Sequence, residues 1–141
     1  MKNIRENVII LDFGGKYSQM LAKKIRLARV YCEILPYTSS LEKIMQKKPK
    51  AIILSGGPSS IFVDNAPICD IDILNSDVPV LGVGYGMDLI CHLLGGKLEA
   101  SKEVNLDKGN INIDNTSKIF KDVNENLKAK VEFKDNVVSL P

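Results

Sequence analysis

One histidine, His92, and three cysteines, Cys32, Cys69 and Cys91, are all the imidazole and thiol in this 141-residue chain. The cysteines have no paired spacing and form no C-x-x-C. That excludes a disulfide framework, offers no metal cage, and fits a reducing, cytoplasmic compartment. Long apolar runs are missing as well. The run Val8–Leu11 is cut at once by Asp12, too short for a signal-peptide core or a membrane span. Neither sign of charge prevails: 19 basic and 17 acidic residues leave a net charge of +2. Such a balance argues for neither nucleic acid nor a membrane as partner. The patch Lys47-Lys48-Pro49-Lys50 reads as a solvated helix end. There is no repeat, no low-complexity tract and no linker. Neither G-x-G-x-x-G nor a Walker A motif is present to hold a nucleotide, and no cofactor or metal is expected.

With 45% apolar and 26% charged residues, the chain has the make-up of a globular protein and enough length for a sizeable core. Short β-branched runs alternate with amphipathic stretches through the first two-thirds. Strands are expected at Val8–Leu11, Val30–Leu35, Ala51–Leu54 and Val78–Val83. Helices are expected at Tyr17–Arg29, Leu41–Lys47, Ile68–Leu74 and Met87–Leu94. Leu41 and Met45 mark the apolar side of the second helix. In the last, Met87, Ile90, Cys91 and Leu94 follow i, i+3, i+4, i+7 spacing, and Gly95-Gly96 ends it. Continuous apolar strands separated by helices predict an α/β fold with a mostly parallel sheet covered on both faces. After Gly96 the chain turns to Asn, Asp and Lys. Alternating segments such as Asn110–Ile113 and Val131–Phe133 predict a small antiparallel edge layer. A single domain over residues 1–141 is expected, with a parallel core over 1–96 and a β-rich part over 97–141.

In such sheets ligands bind outside the carboxyl ends of the strands. Three sharp loops fall there: Asp12-Phe13-Gly14-Gly15, Ser55-Gly56-Gly57-Pro58, and Gly82-Val83-Gly84-Tyr85-Gly86. The last is a strand-to-helix turn of the G-x-Nuc-x-G kind, which presents a nucleophile on a strained elbow. Its central residue, Gly84, has no side chain. Glycine tolerates positive φ without strain, so it keeps such a turn while removing its reactive group.

Five segments carry a specific resemblance: Ile10–Arg26, Val30–Tyr37, Ala51–Ile61, Ala66-Pro67 and Pro79–Leu98. In that order they resemble the glutaminase domain of the class I glutamine amidotransferases, in the GMP synthase branch. The resemblance implies a flavodoxin-like three-layer fold. It also implies a cysteine at the elbow that attacks the side-chain amide of glutamine, assisted by a histidine and a carboxylate. Two backbone N–H groups would stabilise the oxyanion, and by resemblance these belong to Gly57 and Tyr85. Ser55, Gly56, Pro58, Gly86 and Asp88 would remain from the substrate pocket. Gly84 stands in place of the nucleophile, and Asp88 in place of a substrate-holding glutamine. Leu106–Gly109 and Glu132–Asp135 replace two further functional stretches. The chain ends at Pro141, before the family's His-Pro-Glu segment, so a shortened C-terminal part is expected.

No substitute for the missing thiol is evident. Cys91 lies about 10 Å beyond the elbow on the apolar stripe and reads as a structural thiol. Cys32 falls in a strand, and Cys69 has no neighbouring base. His92 and Asp88 share a helix face at i, i+4 spacing and read as a surface pair. Ser59 and Ser60 read as turn residues. The expected function is a non-catalytic relative of the GMP synthase glutaminase, which keeps a docking surface for an ATP-pyrophosphatase synthetase or a weak pocket for glutamine. The alternatives are a working glutaminase subunit supplying ammonia for XMP amination, a flavodoxin-like module that binds an anion or small metabolite, and a fragment lacking the final strand.

Overall fold

Val8, Ile9, Ile10 and Leu11 form an apolar run with no polar alternation, the pattern of a strand buried on both faces. They occupy the middle of β1 (Asn7–Asp12), where Ile9, Ile10 and Leu11 have no exposure to solvent. In this computed structural model the described residues are 6–100, 108–112, 116, 118–121, 126–130 and 136–139. Contacts divide the chain into two units, Met1–Leu98 with Val138–Pro141, and Glu99–Val137.

In the first unit β1 lies between β2 (Tyr31–Pro36) and β3 (Ala51–Leu54), and β4 (Val80–Gly82) follows β3. All neighbours run parallel, in the order β2-β1-β3-β4. The register sets Ile34, Ile10, Ile53 and Leu81 in one row across the sheet. Helix α1 (Tyr17–Leu27) covers that face through Ala22, over a cluster that includes Ile10, Cys32 and Ile53. On the other face α2 (Leu41–Met45) and α3 (Tyr85–Leu93) contribute Ile44 and Leu89 to a larger cluster with Ile9, Leu11, Ile52 and Leu54. Each fully buried aliphatic side chain contributes roughly 1.5–3 kcal/mol relative to exposure. The predicted parallel sheet, sandwiched between helices, is therefore the observed one.

Four local expectations differ from the structure. Helix α1 ends two residues early. Arg29 takes a left-handed φ of 62°, Val30 N–H reaches the Ile25 carbonyl at 3.2 Å, and Arg29 N–H reaches Arg26 at 2.9 Å. This is a Schellman-type stop made without the usual glycine. In α2 the buried residue is Ile44, while Met45 is exposed. Ile68–Leu74 is no full helix but contains a single 3₁₀ turn, Ile71–Ile73. There Asp70 accepts hydrogen bonds from the N–H of Asp72 (Oδ1, 3.0 Å) and of Leu41 (Oδ2, 3.0 Å). A side chain that binds backbone donors locally competes with helix continuation. In α3 Leu89 and Cys91 are buried, but Met87 is 47% exposed.

The close of α3 matches expectation. Gly95 has φ 78°, and the N–H of Gly96 meets the Cys91 carbonyl at 2.8 Å. Beyond it lie β5 (Lys97–Ala100), β6 (Lys108–Asn112), β7 (Asn126–Lys130) and β8 (Asn136–Ser139), laddered as β5 with β8 and β6 with β7. The β6–β7 pair is antiparallel, with Ile111 opposite Leu127. The strand expected at Val131–Phe133 lies outside the described residues. Among the described residues no helix is long and apolar enough to cross a membrane.

The corrected face of α3 is testable. Leu89→Ala should cost about 2–5 kcal/mol of unfolding free energy, whereas Met87→Ala should stay within about 0.5 kcal/mol. Urea titration of both variants decides it, and equal losses would place the inward face elsewhere.

Candidate functional site

The three loops at the carboxyl ends of β1, β3 and β4 meet one another through their glycines. A β-carbon placed on Gly57 would come within 2.7 Å of the Phe13 carbonyl oxygen, and one on Gly56 within 3.6 Å of that of Val83. One on Gly14 would meet the Pro58 ring at 3.4 Å. At the base of the elbow the fit is tighter still. A β-carbon on Gly86 would lie 2.2 Å from the Leu54 carbonyl oxygen, and one on Gly82 would lie 2.7 Å from the Met87 nitrogen. The turn is thus pressed onto the end of β3, and glycine is the residue that allows it.

Hydrogen bonds hold this arrangement. Asp12 Oδ1 accepts from the Gly14 N–H at 2.9 Å. Ser55 is fully buried; its hydroxyl accepts from the Phe13 N–H at 3.3 Å and donates to the Gly56 carbonyl at 3.0 Å. Ser55 therefore ties two loops together from inside, and its hydroxyl is turned away from solvent. Val83 N–H donates to the Leu54 carbonyl at 2.9 Å, and Gly86 N–H to Val83 at 3.0 Å. Ser60 accepts from the Phe62 N–H at 3.2 Å, the turn role expected of it.

Gly84 sits at the apex with φ 57° and ψ −119°, a backbone region that side-chain-bearing residues occupy only under strain. A β-carbon there would meet only the Gly56 α-carbon, at 3.3 Å. The apex thus points at the Ser55–Pro58 loop, with hydrogen where a side chain would stand. Among the described residues, the N–H groups of Gly57 and Tyr85 donate to no backbone carbonyl. Both remain available to an acceptor lying between the two turns, and the amino end of α3 adds its partial positive charge there.

Tyr85 also anchors the turn. Its ring is buried, 5.4 Å from that of Phe13, which in turn stacks on Tyr37 at 5.5 Å. Its hydroxyl donates to the Pro67 carbonyl at 2.6 Å. Burial pushes this phenol up to about 12, with smaller contributions from Cys69, Asp88 and Tyr37. This aromatic group was not singled out from the sequence; the signal was the placing of Phe13 and Tyr85 inside the glycine loops. Tyr17 was missed in the same way, and its ring lies 3.5 Å from the place of a Gly56 β-carbon.

Asp88 is buried in α3, whereas His92 is exposed. Their spacing therefore does not set both on an exposed face, because Asp88 is turned inward. Cys32 and Cys91 are buried, their thiols near the carbonyls of Ala22 (3.6 Å) and Lys97 (3.7 Å). Cys69 is buried as well, and desolvation raises its thiol above the ordinary range. A thiol in such a setting is a poor nucleophile. Among the described residues no group of His, Cys, Asp and Glu is placed to hold a metal ion. Residues Leu106 and Asp107, and the stretch Glu132–Asp135, lie outside the described residues.

A parallel sheet wound between helices, with a glycine-flanked elbow facing a second glycine loop, defines a glutaminase-type α/β scaffold. The chain belongs to the class-I glutamine amidotransferase family, whose profile matches residues 9–138. Among curated proteins it is similar to GMP synthase [glutamine-hydrolyzing] of Clostridium perfringens, with 43% identity over 98% of this chain and 27% of that protein. To the enzyme of the same name from Acetivibrio thermocellus it is 46% identical, over 84% of this chain and 23% of that protein. The chain thus spans about a quarter of the length of these relatives. Solved structures with the same fold include a glutamine amidotransferase of Thermotoga maritima (TM-score 0.72, 15% identity, 97% of this chain and 64% of that one). Another is a Thermoplasma acidophilum protein described as one subunit of a GMP synthase (TM-score 0.73, 17% identity, 97% of this chain and 69% of that one).

The raised phenol makes a prediction about alkaline stability. The folded value of Tyr85 exceeds the ordinary value of 10, so unfolding favours ionisation once the pH passes that ordinary value. Its contribution to stability should be complete below pH 10 and lost as the pH rises towards about 12. Denaturant titrations across this range should show the loss in the wild type and a smaller one in Tyr85→Phe. Identical slopes would contradict the assignment.

Proposed function

We propose that this chain is the glutaminase-type domain of a GMP synthase system in which glutamine hydrolysis has been lost. One observation carries the reading: the elbow keeps its turn geometry and its partner loop, while the apex residue is Gly84. Amide hydrolysis by this family's route begins with covalent attack by a side-chain nucleophile. A glycine apex has none, and the oxyanion donors of Gly57 and Tyr85 by themselves supply little rate. Relaxing the apex to glycine also removes a backbone strain on the order of 1–3 kcal/mol. Ser55, Gly56, Pro58, Gly86 and Asp88 would then hold glutamine weakly or serve only as framework.

In this reading the domain acts as a non-catalytic or regulatory partner of an ATP-pyrophosphatase synthetase in GMP biosynthesis, within the purine pathway. The support is its similarity to proteins named GMP synthase, of which it spans one part, and to one described as a separate subunit. The cytoplasm is the proposed compartment, in keeping with three buried, free thiols.

The 141-residue polypeptide should release glutamate from glutamine orders of magnitude more slowly than family-like rates, and a reactive glutamine mimic should leave no adduct by mass spectrometry. Gly84→Cys alone should not restore turnover. The chain's single histidine, His92, is exposed about 12 Å further along α3 and cannot serve as its base. Turnover at family-like rates in the wild type would sink the proposal. Recovery by Gly84→Cys would show that another base serves the elbow.

A further inference from the structure

Charge is segregated along this chain in a way the near-neutral total conceals. Residues 13–32 hold five Lys or Arg and no Asp or Glu; residues 51–96 hold five Asp and no Lys or Arg. The fold puts the centres of the two stretches, α1 and segment 61–77, on opposite faces of the four-stranded sheet. Helix α1 packs on the Ile10, Ala22, Cys32 and Ile53 cluster. Segment 61–77 packs on the other cluster through Cys69 and Ile73.

Each patch joins exposed charge to exposed apolar surface. Between α1 and β2 runs an open groove of about 600 Å³, lined by Gln19, Ala22, Lys23, Arg26, Leu27 and Ile34. Its rim is cationic, its lining is otherwise mostly apolar, and Leu27 is 76% exposed. On the opposite face Ile71 is 49% exposed, next to exposed Asp72, and Phe62, Val63 and Ile68 are exposed nearby in sequence. The Lys47–Glu33 salt bridge, at 2.9 Å, draws on neither patch.

We propose that the α1 groove of one molecule receives segment 61–77 of a second copy of this chain. Ile71 meets the apolar lining at Ala22, Leu27 and Ile34, while Asp72 and Asp77 face Lys23 and Arg26. Because donor and acceptor patches lie on opposite faces, the contact is head-to-tail, and it propagates unless its rotation closes a ring. Single-stranded nucleic acid fits less well because no aromatic ring lines the groove to stack a base. The inference stands apart from the loss of glutaminase activity.

Sedimentation velocity on the 141-residue chain tests it over a rising concentration series. The runs use about 0.02 M and about 0.3 M salt, between which the screening length falls roughly fourfold. The expected result is association at low salt that weakens at high salt. Lys23→Glu with Arg26→Glu should weaken it on the order of tenfold or more, and so should Asp72→Lys with Asp77→Lys. The two double variants, each monomeric alone, should pair when mixed, since one keeps its groove and the other its acidic segment. Lys50→Glu should leave association unchanged, and circular dichroism should find all variants folded. A wild-type chain that stays monomeric, variants that associate as before, or a mixture that fails to pair would overturn the proposal. So would groove-dependent binding of anionic vesicles or single-stranded DNA by a chain that remains monomeric.

Discussion

The amino end of α3 rests on the carboxyl end of β3 at a distance that leaves no room for a β-carbon. Gly86 lies against the Leu54 carbonyl and Gly82 against the first turn of α3, so the strand, turn and helix are locked into one geometry. Interiors at native packing density do not absorb an added methyl group without moving something. From this close approach follow the direction of the elbow, the facing of Gly84 towards Gly56, and the inward pointing of Tyr85 and Leu89. The aromatic group of Phe13, Tyr37 and Tyr85 then ties the elbow to the loop after β1 and to the residue after β2. Framework and site are consequently the same atoms.

That identity explains how the elbow holds its shape with a glycine at its apex. The turn is specified by packing glycines and by backbone hydrogen bonds, none of which involves a side chain at position 84. A reactive group at the apex adds strain to this turn without adding packing, since a β-carbon there meets only the Gly56 α-carbon. Replacing it with glycine leaves all of these supports in place. Gly82 and Gly86 accordingly report on the fold, while the apex residue is free of any packing demand.

Surface and core answer to different rules in this molecule. The core row Ile34, Ile10, Ile53 and Leu81 follows strand register, and its burial fades from the middle of the sheet to β4, where Leu81 is exposed. The charges follow no such periodic rule. They are sorted by which stretch of chain winds over which side of the sheet, and a net charge near zero therefore coexists with a basic α1 and an acidic segment 61–77.

The sequence by itself determined the strands, their parallel pairing, the three loops and the elbow with its empty apex. These depend on apolar runs and glycine spacing, which are local and therefore readable. Only the tertiary structure decided which side of α3 is buried. The helix is apolar on nearly every side, so periodicity favoured Met87 and Leu94, whereas packing on β3 turned Leu89 and even Asp88 inward. It likewise decided that Arg29 would end α1 in the left-handed region, and that Asp70 would bind the amides of Leu41 and Asp72 and hold Ile68–Leu74 to one short turn. Each of these outcomes depends on a partner distant in the chain or on a conformation its residue type seldom adopts, and no local pattern encodes either.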